Sequence, residues 1–184
     1  MRQDTSIIDE YKSIHQSSVK IKMVGEQIMF HIWDIQDFTN VHPATTMLDF
    51  GCGKAYAYFT RKIDRLLNVH KIIFYDIGIE QFSKKPKEED FSSVVSVDVL
   101  EHIPEEEIAD TFKYWYSENT EFVFATIAAY PAKHTFSNGE NVHVNQNSWA
   151  WWSALIDRYI TCHSKFVFMP SQDSSTWRTY EIDI

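Results

Sequence analysis

Thr46-Met47-Leu48-Asp49-Phe50-Gly51-Cys52-Gly53-Lys54-Ala55-Tyr56 is the stretch from which the rest of the chain can be ordered. A short apolar run delivers an acidic residue, then two glycines one residue apart, then helix-forming residues, an order that reads as strand, tight turn and helix. Glycine reaches backbone conformations closed to other residues and lets a ligand approach the main chain. The helix behind it begins with N–H groups that no helical carbonyl satisfies. The unit is either a nucleotide-type binding turn or only a tight βα connection, and residues further along bear on that choice.

The dinucleotide spacing G-x-G-x-x-G would put glycine at position 56, where Tyr56 stands, so a pyrophosphate against this turn would meet a large ring. Asp49 places a carboxylate beside the turn, which suits a cationic ligand end such as an ammonium group and repels a pyrophosphate. The pattern hydrophobic-Asp49-Phe50-Gly51-Cys52-Gly53 resembles motif I of the class I (Rossmann-like) S-adenosylmethionine-dependent methyltransferases. Ala55 takes the place of the third glycine in the fuller G-x-G-x-G form of that motif.

The chain has 184 residues, 44% hydrophobic and 23% charged, which fits one globular domain with a substantial core. We divide it into N-terminal helices over 1–44 and an α/β core over 45–184. No apolar run approaches the ~20 residues that span a bilayer, and residues 1–5 lack the apolar core of a signal peptide, so the expectation is a cytoplasmic protein with no membrane partner. A formal net charge of -9 disfavours nucleic acid as a partner, because phosphate-backbone affinity comes mainly from Lys and Arg. The basic run Lys84-Lys85-Pro86-Lys87 is nearly cancelled by Glu88-Glu89-Asp90 and reads as a solvated loop. Cys52 and Cys162 make neither a disulfide framework nor a metal cluster. Oligomeric state is not legible.

Ile7, Ile8, Tyr11 and Ile14 recur at helical spacing and predict a short amphipathic helix over 5–16 that ends near His15. A second helix is expected over 26–38, with Ile28, Ile32 and Ile35 on one face. Pro43 stops it ahead of a strand over 45–50. Tyr56, Phe59, Ile63, Leu66 and Leu67 then predict one helix over 55–67. Lys71-Ile72-Ile73-Phe74-Tyr75-Asp76 reads as a strand ending in a carboxylate 25 positions after Gly51. In an open α/β sheet that carboxylate lies near a nucleoside held over the first turn and can accept both ribose hydroxyls. Residues 77–91 are too few for a crossover helix and a further strand, so the usual third strand is expected to be reduced or absent.

Residues 92–98 form the next strand and lead into Asp98-Val99-Leu100-Glu101-His102-Ile103-Pro104. Pro104 and the acidic run Glu105-Glu106-Glu107 open a helix whose buried stripe is Ile108, Phe112, Trp115 and Tyr116. A strand over 121–127 should lie centrally in the sheet. The connection over 128–147 is longer than ordinary and carries His134 and Asn141-Val142-His143, with imidazoles that titrate near neutral pH. Ser148 caps a helix through Tyr159, and 160–170 and 176–184 read as two terminal strands.

The segment Asp98 through Pro104 resembles the one that closes the fourth strand in many class I methyltransferases, where it borders the cofactor's methionine part and the acceptor pocket. Asn141-x-His143 ahead of Trp151-Trp152 resembles a pattern in small phage and bacterial members. The resemblance implies a three-layer α/β/α sandwich with a mostly parallel sheet, a C-terminal antiparallel hairpin and strand order 2-1-4-5-7-6. It also implies transfer of the S-adenosylmethionine methyl group to a small-molecule acceptor. Asp49, Gly51 and Gly53 would hold the methionine end, Asp76 the ribose, and Asp98 and Val99 the region beside the sulfonium. His143 would be the first choice of proton sink, with His102 and His15 behind it. Each histidine can equally be a packing residue. The rival readings are a nucleic-acid or protein methyltransferase and a non-catalytic domain that binds S-adenosylmethionine.

Overall fold

A computed structural model describes Glu10, Ser13 and residues 25–183. Its strands are β1 (Ala44–Phe50), β2 (Val69–Tyr75), β3 (Ser93–Ser96), β4 (Phe122–Ala128), β5 (His163–Met169) and β6 (Arg178–Ile182). They form one open sheet in the order β2-β1-β3-β4-β5-β6, parallel except for the final β5–β6 pair. The helices are α1 (Ile32–Val41), α2 (Tyr56–Arg61), α3 (Glu105–Trp115) and α4 (Trp149–Tyr159), with short 3-10 turns between.

Strand side chains alternate between two apolar clusters, as a period of two requires of strands covered on both faces. Leu48, Val94, Val123, Ala125 and Phe166 join Ile108, Phe112 and Trp115 of α3 and Trp152 and Ile156 of α4. Met47, Val95, Phe122, Phe124 and Val167 join Ile32 and Ile35 of α1 and Ala57 and Tyr58 of α2. β4 is buried along its whole length, as its central place in the sheet demands.

Three expectations are corrected. The strand order 2-1-4-5-7-6 would insert the last strand between its two predecessors, but β5 pairs with β4 over seven residues, Phe122↔His163 to Ala128↔Met169, and β6 takes the edge. The reason is polarity: Arg178, Thr179 and Glu181 are exposed, and a strand buried between two others cannot carry them. The helix expected over 55–67 breaks at Lys62, which takes a left-handed φ of 55°, and continues as the 3-10 turn Ile63–Leu66. The helix expected over 26–38 is the 3-10 turn Gln27–Phe30 followed by α1, which runs to Val41 before Pro43. No strand lies between β2 and β3; residues there form two 3-10 turns. Glu10 is helical and its carboxylate accepts from Ser137 N at 3.1 Å and from the Ser137 hydroxyl. His15 and Tyr11 lie outside the described residues.

Candidate ligand site at the carboxyl ends of β1, β2 and β3

The chain passes from β1 to β2 on one side and then to β3 on the other, so the sheet changes direction between β1 and β3. Open α/β sheets leave a crevice at such a point, outside the carboxyl ends of the strands. Asp49 pairs with Val95 at the last shared position of the two strands, and the Ser96 hydroxyl adds a 3.0 Å bond to Phe50 O. Beyond it the chains part, one into the Gly51–Gly53 turn and the other into Asp98 and Val99.

The turn is glycine-rich for two reasons visible in its geometry. Gly51 has φ +82°, and a Cβ there would sit 2.3 Å from Val99 Cγ2, so Val99 packs against the space a side chain would need. Gly53 follows at φ 56°. Ala55, in the place of the motif's third glycine, also takes a left-handed φ of 50°, so the backbone path expected of a glycine is kept by an alanine at ~1–2 kcal/mol of strain.

The turn's amides are engaged by the chain itself. Gly51 N and Cys52 N both donate to Tyr75 O, at 2.7 and 3.1 Å, Ala55 N donates to Cys52 O at 3.0 Å, and Gly53 N donates to Asp76 Oδ2 at 2.8 Å. Asp76 Oδ1 accepts from Gly78 N at 2.8 Å. Asp76 is therefore a brace of the turn as well as a carboxylate at the end of β2, a role that its spacing did not show. The open cradle of N–H groups expected at this turn is largely closed, which leaves carboxylates as its recognition chemistry. An open depression of about 490 Å³ is lined by Ile79, Glu80 and Gln81, in the segment that follows Asp76 in the chain.

Asp49 is 5% exposed. Burial pushes its carboxyl up to about 7 and the Asp76 charge adds to the rise, opposed by the Tyr58 hydroxyl, which faces it without a hydrogen bond of good geometry. Burial likewise drives the Cys52 thiol far above its usual range, so Cys52 fills space and is no nucleophile.

On the β3 side, Asp98 has a left-handed φ of 61°, sparsely populated for a residue with a side chain, and its N–H is held by Thr126 Oγ1 of β4 at 2.9 Å. Gln27 Nε2 donates to its Oδ2 at 3.3 Å. The 3-10 turn Leu100–His102 then buries Glu101 completely and leaves His102 half-buried. The loop after β4 brings His143 against His102, with ring centroids 4.7 Å apart and planes near perpendicular. His102 Nδ1 bonds Val142 O at 2.9 Å and His143 Nδ1 bonds Tyr130 O at 2.6 Å. A carbonyl only accepts, so each Nδ1 carries the proton and Nε2 the lone pair of the neutral ring. Burial pulls the His102 imidazole down to about 4, the neighbouring His143 adding to the fall and Asp98 and the Val142 carbonyl opposing it.

Asn141 is the template of that loop. Its Oδ1 accepts from Ala132 N and His143 N and its Nδ2 donates to Ala132 O, each at 2.9 Å. His134, by contrast, is exposed on the loop's outer turn. The fold thus gathers Asp49, Gly51, Gly53 and Asp76 on one side, and Asp98, Val99, His102 and His143 on the other. Gln27, Glu101, Tyr130 and Asn141 complete the site and were not assigned to it from the sequence, although Glu101 stood within the quoted segment and Asn141 two residues before His143. Neither a protein-family model, nor a curated protein, nor a solved structure matches this chain.

Proposed function

We propose that the protein transfers the methyl group of S-adenosylmethionine to a small-molecule acceptor bound beside His102 and His143. The observation that carries the reading is the placement of Asp49, Asp76 and Asp98 around the crevice between β1 and β3, next to a turn whose amides are mostly engaged. Such a site favours a ligand with positive charge at its centre and at one end, which an ammonium and a sulfonium provide, and disfavours a pyrophosphate. Tyr56, 47% exposed at the start of α2, stands where a dinucleotide motif needs glycine. The two apolar clusters, one with α1 and α2 and the other with α3 and α4, support the three-layer form of this reading.

In this proposal Asp49 takes the ammonium group, Asp76 the ribose, and the Asp98–Val99 corner the region of the sulfonium. Methyl transfer needs in-line placement of two reactants and, for an oxygen or nitrogen acceptor, a group to remove a proton. His143 serves as that group through Nε2, its ring oriented by Tyr130 O. His102 is held neutral by its burial. Thermal denaturation of the full chain tests the cofactor: S-adenosylhomocysteine raises the Tm and NAD leaves it unchanged. Equal shifts with both ligands, or a shift with neither, overturn the assignment.

A further inference from the structure

Glu101 poses a problem that the proposed methyl transfer does not solve. Its carboxyl group is fully buried, and neither oxygen has a hydrogen bond of good geometry, although the Asp98 carboxyl and the Glu101 and Ala128 amides face it. An ionised carboxylate in that position is strongly unfavourable unless something positive reaches it. Asp98, the nearest acid, adds negative charge. Two species could neutralise Glu101: a proton shared with Asp98, or a cation.

The surroundings favour the cation. One ligand atom from each of Glu101, His102 and His143 lies within 4.8 Å of the others. An ion with ~2.1 Å bonds in a tetrahedral site separates its ligands by roughly 3.4 Å, so these groups need to close by little more than an ångström. The outer contacts are those that ligating histidines need. Each imidazole donates Nδ1–H to a backbone carbonyl, Val142 O or Tyr130 O, which fixes the ring and directs the Nε2 lone pair. Asn141 and the Asn145 N–H, which donates to Glu101 O at 2.9 Å, tie the loop to the 3-10 turn that carries the other two groups.

We infer that Glu101, His102 and His143 form a binding site for a divalent first-row transition ion of the zinc, cobalt or iron type. Two imidazoles and one carboxylate suit such ions, whereas magnesium and calcium prefer all-oxygen shells. The cysteine count gave no hint of a metal because this ligand set uses none, and 40 positions separate His102 from Val142, the residue before His143. The inference does not depend on the cofactor assignment. Should both hold, His143 becomes a ligand, and the ion lowers the pKa of an acceptor hydroxyl in place of a histidine base.

The test is calorimetric titration of chelator-stripped full-length protein with Zn²⁺, Co²⁺ and Mg²⁺, without S-adenosylmethionine. His42→Ala serves as the control, since His42, His163 and Asp183 form a second, more exposed group at the sheet edge. Wild type and His42→Ala should bind one equivalent of Zn²⁺ or Co²⁺ tightly and Mg²⁺ weakly. Glu101→Gln and His143→Asn should lose more affinity than the roughly 10- to 100-fold that removing an outer-shell partner costs. Zn²⁺ should raise the Tm of wild type and not of Glu101→Gln, whose own Tm without metal should be no lower than that of wild type, because an unpaired buried charge has been removed. No binding by wild type, or equal binding by Glu101→Gln, overturns the site and leaves Glu101 as an acid sharing its proton with Asp98.

Discussion

The glycine turn after β1 and the histidine corner after β3 face each other across one crevice, yet they are built in opposite ways. The turn is one continuous stretch, residues 49–55, braced by Tyr75, Asp76, Ser96 and Val99 from the neighbouring strands and by Gly25. The corner is assembled at long range, from the 3-10 turn Leu100–His102 and a loop some 40 residues later, pinned by Asn141. The turn has its amides engaged and a carboxylate close to neutral. The corner has a buried carboxyl, Glu101, without a hydrogen bond of good geometry. The first is laid out by one local stretch and then braced, and the second exists only because distant stretches pack together.

If the turn is as tightly determined as this contrast requires, Gly51→Ala should be the most damaging single change. A left-handed φ costs ~1–2 kcal/mol for a residue with Cβ, and a methyl 2.3 Å from Val99 adds overpacking, for a loss of roughly 4 kcal/mol in urea denaturation. Adding Val99→Ala should recover the overpacking part and leave the backbone part. A loss well under 1 kcal/mol would show that the turn yields as readily as an ordinary loop.

The carboxylate of the turn offers a second handle, through pH. Asp49 keeps its proton up to about 7 when folded but loses it near 3.8 when unfolded, so the folded state binds the extra proton between those values. Its contribution to stability is full below 3.8, falls as pH rises to about 7, and is flat above that. Asp49→Asn should remove this slope. At pH 8 it should be more stable than wild type by roughly 4 kcal/mol, from about 1.4 kcal/mol per pKa unit over the rise from 3.8 to about 7, while binding S-adenosylhomocysteine more weakly. A slope that survives the substitution would assign the proton elsewhere.

Asn141→Ala should have a smaller effect on stability, roughly 2 kcal/mol for polar partners left unsatisfied. The damage should be confined to the corner: Zn²⁺ affinity should fall while the Tm shift from S-adenosylhomocysteine is kept. If both fall together, the two sides of the crevice are one cooperative unit and the contrast fails.

Much of the sheet could be read from the chain because strands and helices announce themselves in short windows. Thr46 to Phe50, Lys71 to Tyr75 and Phe122 to Ile127 are apolar runs of strand length, and Ser148 caps α4 as expected, its side chain accepting from Trp151 N. The break at Lys62 was not legible, because the apolar spacing continues across it. The edge position of β6 is legible in Arg178, Thr179 and Glu181, which the strand order implied by the resemblance leaves out of account. At the site, Asp49, Asp76, Asp98, His102 and His143 were named from motif and spacing. Glu101 is not legible as a site residue, because a glutamate in a polar segment reads as solvated until its burial is known.

By itself, then, the sequence determined the strands, the glycine turn and a segment between β2 and β3 too short for a full crossover helix and strand, since backbone preference and hydrophobic period act over a few neighbouring residues. Only the tertiary structure decided which strand took the edge, that the turn's amides close on Tyr75 and Asp76, and that Glu101, His102 and His143 converge. Strand pairing, burial and the low dielectric that goes with it arise between residues far apart in the chain, and no local window contains them.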